Sequence, residues 1–310
     1  MKKVGYAGTY TEKESKGIYS FEFEDGILSN AKLFAEIRNP KYLCVDQDRI
    51  YALADHQGSS GIVVLDKEGK EISSLYYENK TSCFITVKDH MIYTVNYHEG
   101  TVSQLCMNSD QLQLTNQTCI RNNAGSHQIM FWKDLMLVPC LLLDRLMILN
   151  MQGTVVSELV FPDGTGPRHG VITHDQKTLY LVSELSNELF TIDLASMKIK
   201  RQISILADGL THVKDTAAIR MSSDEHYLYI STRTQDIIST VKIRPQTELI
   251  QTISSGGQHP RDILLSEPYL LVGNRFTNNL VSMNLKNGIP AEIQSSITIP
   301  EIVSIAMEDK

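Results

Sequence analysis

The sequence has little of what most catalytic chemistries require. Its five cysteines (Cys44, Cys83, Cys106, Cys119 and Cys140) are an odd number, and no two stand in a Cys-x-x-Cys or other metal-ligand spacing. That disfavours a disulfide framework or a zinc site, and buried, reduced thiols are expected. There is one tryptophan, Trp132, on an apolar segment where packing is its simplest role. No apolar run approaches a membrane span, and the opening Met1-Lys2-Lys3-Val4-Gly5-Tyr6 lacks the apolar stretch of a signal peptide. Basic residues are outnumbered, 29 to 36, for a net charge of −7 and a pI near 5.7. Phosphate-backbone binding needs a basic face, so nucleic acid is argued against. There is no Gly-x-Ser-x-Gly elbow and no His-Glu-x-x-His helix. The glycines in Gly164-Thr165-Gly166 and Gly256-Gly257 precede strands rather than helices, so they read as turns and not as phosphate cradles. His56, His90, His98, His174, His212 and His226 fall mostly in turns and read as solvated side chains rather than metal ligands. A cytoplasmic, soluble protein follows, with no membrane, nucleic-acid, metal or cofactor partner expected; its oligomeric state is left open.

What is present is periodicity. The chain has 310 residues, 42% of them hydrophobic, which is large for one compact core and favours two domains or a repeat architecture. Equivalent anchor residues fall at Pro40, Ser82, Ser126, Pro167, Thr216, Pro260 and Pro300, spaced 42, 44, 41, 49, 44 and 40 apart. A short apolar strand follows each anchor, as in Tyr42-Leu43-Cys44-Val45. In six repeats a second strand follows about ten residues later, as in Leu179-Tyr180-Leu181-Val182. A third alternates more cleanly, as in Ile18–Phe23, and a fourth is polar, as in Lys198–Ile203. Polar outer strands suit a sheet edge that meets water.

Seven four-stranded units without a convincing helix predict an all-β, seven-bladed β-propeller, one domain over residues 1–310. The last anchor, Pro300, has no second strand after it, and the first strands, from Val4–Gly8, have no anchor before them. Joining the two ends would complete the last blade. A pair of packed β-sheets is the competing all-β arrangement, and the regular spacing speaks against it.

In a propeller the first strand of each unit lines the central channel. The residues just after the anchors are Lys41, Cys83, His127, Arg168, Ala217, Arg261 and Glu301, and those ending the second strands are Tyr10, Asp55, Tyr97, Cys140, Glu184, Arg233 and Arg275. Both sets should ring one mouth. Five cations there (Lys41, Arg168, Arg233, Arg261, Arg275) face three anions (Asp55, Glu184, Glu301), a local excess of two on an acidic protein. Such a mouth suits an anionic small molecule. Arg168 and Glu184 lie at the paired ends of one hairpin, which fits a structural salt bridge or a site. Arg220 fits an interblade ion pair as well as it fits a ligand contact.

Several segments resemble those of the propeller-type lactonase family, which includes bacterial 6-phosphogluconolactonase and fungal carboxy-cis,cis-muconate cyclase. They are Gly8-Thr9-Tyr10-Thr11, Asn39-Pro40-Lys41-Tyr42-Leu43, Gly166-Pro167-Arg168-His169, Glu184-Leu185-Ser186-Asn187 and Gly256-Gly257-Gln258-His259-Pro260-Arg261-Asp262, in the family's order from end to end. The resemblance implies a seven-bladed propeller and a site on His127, Arg168, Glu184 and a later arginine, either Arg233 or Arg261. Three segments depart from the family pattern. Gly125-Ser126-His127 stands for His-x-His, Cys140-Leu141-Leu142-Leu143-Asp144 for Asp-Leu-Gly-x-Asp, and Ser231-Thr232-Arg233 for Ser-Asn-Arg.

On that basis the expected activity is hydrolysis of a phosphorylated sugar δ-lactone. Glu184 would be the general base, and Arg168 or protonated His127 the oxyanion stabiliser. Arg233, Arg261 and Lys41 would hold the phosphate, with His169, Arg220 and Arg275 as further substrate-binding candidates. Two alternatives stand beside it: a non-catalytic propeller that binds an anionic metabolite or a protein partner, and a lactonase or cyclase for a carboxylated lactone.

Overall fold

The computed structural model describes residues 2–308. Its strands form seven antiparallel four-stranded sheets. Six are built from consecutive strands. The seventh joins Ile302–Met307 to Lys3–Thr9, followed by Gly17–Glu24 and Ile27–Glu36. The expected closure is therefore the observed one: Tyr6 pairs with Ala306 and Ala7 with Ile305. We number the blades by their inner strands: Leu43–Asp46 (blade 1), Phe84–Lys88 (2), Met130–Trp132 (3), Pro167–Ile172 (4), Thr216–Met221 (5), Pro260–Ser266 (6) and Ile302–Met307 (7).

Alternating apolar residues build the core between blades, not within them. One cluster unites Ala7 and Phe21 of blade 7 with Leu271 and Leu280 of blade 6; another unites Leu53 and Ile62 of blade 1 with Ile85 and Ile92 of blade 2. Each fully buried leucine, isoleucine or phenylalanine contributes about 2–3 kcal/mol, so the interblade layers hold the ring together. Outer strands follow the opposite pattern; Lys198–Ser204 has no fully buried residue. Turn chemistry agrees as well. Asn287 and Gly288 both have positive φ (52° and 78°), the conformation a two-residue hairpin demands.

The inner strands follow their anchors as expected: in blades 4 to 6 they start at the anchor, and in blades 1, 2, 3 and 7 two to four residues after it. In blade 3, Ser126 makes only an isolated bridge to Cys140 before regular pairing resumes at Met130. The segment Leu141–Leu143 is a single 3-10 turn in an otherwise all-strand chain. It packs against Gly125, whose φ is +71°; a Cβ there would lie 2.7 Å from the Leu142 backbone nitrogen. Gly125 and the leucine turn are thus mutually fitted. One expectation needs correction: all five cysteines are free, but only Cys140 is buried, while Cys44, Cys83 and Cys106 are partly exposed and Cys119 is exposed.

Candidate active site

The residue after the anchor is aimed into the channel by a local irregularity. In blade 4 the pairing jumps from Pro167–Ser183 to His169–Val182, which leaves Arg168 as the extra residue of a bulge. Blade 6 does the same between Pro260–Asn274 and Asp262–Gly273, leaving Arg261. Bulges re-aim side chains, and here both put an arginine at the axis.

Arg168 is only 2% exposed. Its Nε donates to Glu184 Oε2 at 2.7 Å and its Nη1 to the Ala217 carbonyl at 2.5 Å. Burial lowers its pKa to about 10, against the opposing pull of Glu184, so it stays protonated at neutral pH. Glu184 remains partly open, with its side chain 18% exposed. Its other oxygen, Oε1, receives Arg233 Nη2 at 2.9 Å, and the same Nη2 lies 2.5 Å from Asp215 Oδ1. Charge therefore alternates along a chain of four: Arg168, Glu184, Arg233, Asp215.

Beside this chain, His127 Nδ1 lies 3.0 Å from His169 Nε2, and one of the two must donate to the other. Burial, then Arg168, pushes both imidazoles well below their ordinary pKa. The expectation of a protonated His127 is overturned: it sits neutral among cations. Half-buried Tyr97 places its ring 6.0 Å from that of His127.

The mouth's charge balance differs in detail from the sequence count. Asp55 is consumed by neutral donors, accepting from Asn39 Nδ2 at 2.8 Å, Ser60 Oγ at 2.7 Å and Thr81 Oγ1. Glu301 is no rim anion, since its carboxylate accepts backbone N–H groups from Glu12, Lys13, Glu14 and Ser15 and pins that loop. Arg275 pairs with Glu12 at 2.7 Å and lies over the Tyr10 ring at 4.2 Å. Arg220 turns out to be an interblade ion pair, 2.8 Å from buried Asp262, and is not available as drawn for substrate. Two cations remain. Among the described residues, Lys41 and Arg261 have no carboxylate within 4 Å. Arg261 sits 5.3 Å from the Tyr10 ring centre.

Lys41, Arg261, Arg168, His127, His169 and Cys83 line one narrow cleft of about 10 Å³ on the channel axis. That is room for about one water and far below the usual size of small-molecule sites, so a larger anion would meet these side chains at their outer ends. A larger groove, about 680 Å³, lies beside blade 7 and is lined also by Lys67 of blade 1. Lys67 pairs there with Asp48, Glu22 with Lys2, and Glu308 with the Tyr6 hydroxyl, while Lys32 on its wall pairs with no carboxylate among the described residues. In the axial cleft two unpaired cations, Lys41 and Arg261, converge. Among the described residues no three His, Cys, Asp or Glu side chains are grouped to hold a metal.

The sequence set thus divides. Arg168, Glu184 and Arg233 are brought into contact; His127 and His169 pair beside them; Lys41 and Arg261 share the cleft; Arg220 and Arg275 are tied elsewhere. Asp215 and Glu12 are rim residues outside that set, and Tyr97 and Asp144 enter it only by their place in the repeat and in the family pattern. Asp144 accepts the N–H groups of Gly164 (2.8 Å) and Gly166 (2.7 Å), so it fixes the turn that delivers Arg168 and uses two N–H groups that might have suggested a phosphate cradle. Asp215 directly precedes the anchor Thr216, and its position was the one available signal.

Known proteins share this architecture. A 6-phosphogluconolactonase of Bacillus subtilis (strain 168) is 26% identical over 341 residues, covering 98% of both chains. A solved structure of a protein from Lactobacillus plantarum superposes with a TM-score of 0.91 at 26% identity, covering 100% of each chain. The periplasmic gluconolactonase of Pseudomonas aeruginosa has the same fold, with a TM-score of 0.87 at 17% identity over 100% of this chain and 99% of that one. The family described as lactonase, 7-bladed beta-propeller matches residues 4–307. With seven blades closed by its two ends and a polar cleft on their axis, the chain belongs to that lactonase family.

Proposed function

We propose that the protein hydrolyses a phosphorylated sugar δ-lactone, as its Bacillus subtilis relative's name indicates for that protein. The observation that carries this reading is a partly open carboxylate, Glu184, held by Arg168 beside a cleft with two unpaired cations. Glu184 takes a proton from water as the water attacks the lactone carbonyl. The Arg168 guanidinium, which lines the cleft, meets the oxyanion that forms. Neutral His127 serves as a hydrogen-bonding group there and carries no charge. Lys41 and Arg261 receive the phosphate, with arginine's fork suited to its oxygens. Arg233 is removed from the phosphate-binding set, because Glu184 and Asp215 already engage it.

An aldonolactone is an activated ester, so a base of modest strength suffices. A cytoplasmic location accords with five free thiols, and the substrate class would place the enzyme in carbohydrate metabolism. The deciding experiment times 6-phosphogluconolactone decay with and without protein, beside the unphosphorylated lactone. Selective acceleration of the phosphorylated compound is the expected result; decay at the uncatalysed rate overturns it. One feature favours a second reading, binding without turnover: both oxygens of Glu184 already accept from arginines. Binding of 6-phosphogluconate with no effect on lactone decay would establish that reading instead.

A further inference from the structure

Three cations, Lys41, Arg168 and Arg261, line the axial cleft together, and no free anion lines it with them. Asp262 is the one carboxylate in the lining, and both its oxygens are taken. Oδ1 meets Arg220 Nη2 at 2.8 Å and accepts the Ile263 N–H at 3.0 Å; Oδ2 accepts the Ile305 N–H at 2.9 Å. The other walls do not ionise to help. Burial pushes the Cys83 thiol up to about 11 and raises the Tyr42 phenol well above its ordinary value, so both are neutral at pH 7. The positive field is felt by the walls themselves: after burial, Arg168 and, more weakly, Arg261 keep His127 and His169 from taking a proton.

Size selects the counter-charge. With room for about one water, the cleft does not admit a whole phosphate, sulfate or carboxylate. A halide is a single atom, and hydroxide is too scarce at neutral pH to compete with it. Donors for such an ion are at hand. Arg168 spends Nε on Glu184 and Nη1 on Ala217, which leaves Nη2. His169 is 3% exposed; its Nε2 meets His127 Nδ1, and its Nδ1 is buried with no hydrogen-bond partner among the described residues. In the tautomer where His127 donates to His169, that Nδ1 carries a proton and can donate to an anion. We propose that the axial cleft is a halide site, with chloride as its abundant occupant, held by Lys41, Arg261 and Arg168 and by the Nδ1–H of His169. The site goes beyond the hydrolytic reading and does not rest on it. A phosphate would meet these cations from outside the cleft, the halide from within.

The test is chloride NMR line broadening on the full chain at pH 7, with ionic strength held constant by sodium acetate and folding checked by thermal melts. Excess broadening should saturate, with half its effect below about 50 mM chloride, and should fall about tenfold in the Lys41→Met, Arg261→Gln double variant. Lys177→Met, at an exposed lysine paired with Asp175 outside the cleft, should leave it unchanged. Should the double variant melt out, wild-type crystals grown in bromide decide alone. An anomalous peak in the cleft, within hydrogen-bond reach of Lys41 Nζ and the Arg261 guanidinium, supports the site. A water there, broadening that never saturates, or broadening that persists in a folded double variant overturns it. No lactone enters either measurement, so loss of the halide site leaves the hydrolytic reading standing, and failure of lactone hydrolysis leaves the halide site standing.

Discussion

The two halves of the channel mouth are built on opposite electrostatic plans. Blades 3 to 5 supply charges that satisfy one another: Arg168, Glu184, Arg233 and Asp215 in a chain, with two neutral imidazoles alongside. Blades 6, 7 and 1 supply Arg261 and Lys41 with no carboxylate in contact, and the anion that might have met them, Glu301, is turned to four backbone N–H groups. Leaving cations unpaired near a cleft is costly unless something else completes them. On the proposed hydrolytic reading, the satisfied half would set geometry and the unsatisfied half would capture the anion.

Substitutions on each side should separate the two roles. The largest effect is expected from Glu184→Gln, which removes the base and should cut kcat by about a thousandfold in a folded protein; Arg168→Ala should be comparable. Residual activity near wild type in both would end the distinction. Glu301→Ala comes next. Four N–H groups lose a charged acceptor, and a thermal or urea melt should report a loss of about 3 kcal/mol, with residues 12–15 becoming protease-sensitive. On the capture side, Arg261→Ala and Lys41→Ala should each raise KM about tenfold with little change in kcat, and only for the phosphorylated lactone. Equal losses on the unphosphorylated compound would show that these cations serve the fold instead.

The smallest effect concerns pH and stability. His127 and His169 are held neutral by burial and then by Arg168, and His259 is pushed down to about 3 by burial and then by Arg233. Below an ordinary histidine pKa of about 6.5 the unfolded chain takes up protons that the folded one refuses, so stability falls as pH drops, by about 1 kcal/mol per pH unit for each histidine. Glu78 acts in the opposite sense. Burial raises it to about 7, so the folded state holds its proton where the unfolded state does not, and stability from this group is lost as pH rises from the ordinary carboxyl range through 7. Urea melts from pH 7 to 5 should show a net fall, and His169→Asn should make it shallower. A flat profile would mean that the histidines are protonated in the folded protein.

Most of the architecture could be read from the chain because propeller blades repeat their apolar alternation, and seven anchors a few residues off a fixed period leave few other folds. Closure was legible for the same reason: strand Lys3–Thr9 lacked an inner neighbour, and Ile302–Met307 lacked an outer one. The site was only half legible. Equivalent positions in successive blades do converge, so Arg168, Glu184, Arg261 and Lys41 were placed together. Which charge met which was not, because pairing depends on residues outside the repeat register. Glu12, Asp215 and the Glu12–Ser15 backbone lie in loops, and each engages one of the rim charges. Protonation also escaped the sequence: His127 is neutral because three-dimensional burial puts it beside Arg168.

The inner strand of blade 7 stands between the blades that carry Arg261 and Lys41. The seam where the two ends of the chain meet therefore runs through the capture half, not the geometric half. A bound dianion touching both cations would act as a clasp across that seam, tying blade 6 to blade 1 over the strand that closes the ring. Occupancy would then be felt as slower amide exchange in Lys3–Thr9 and Ile302–Met307, far along the chain from Glu184, and as a melting temperature that rises with ligand concentration.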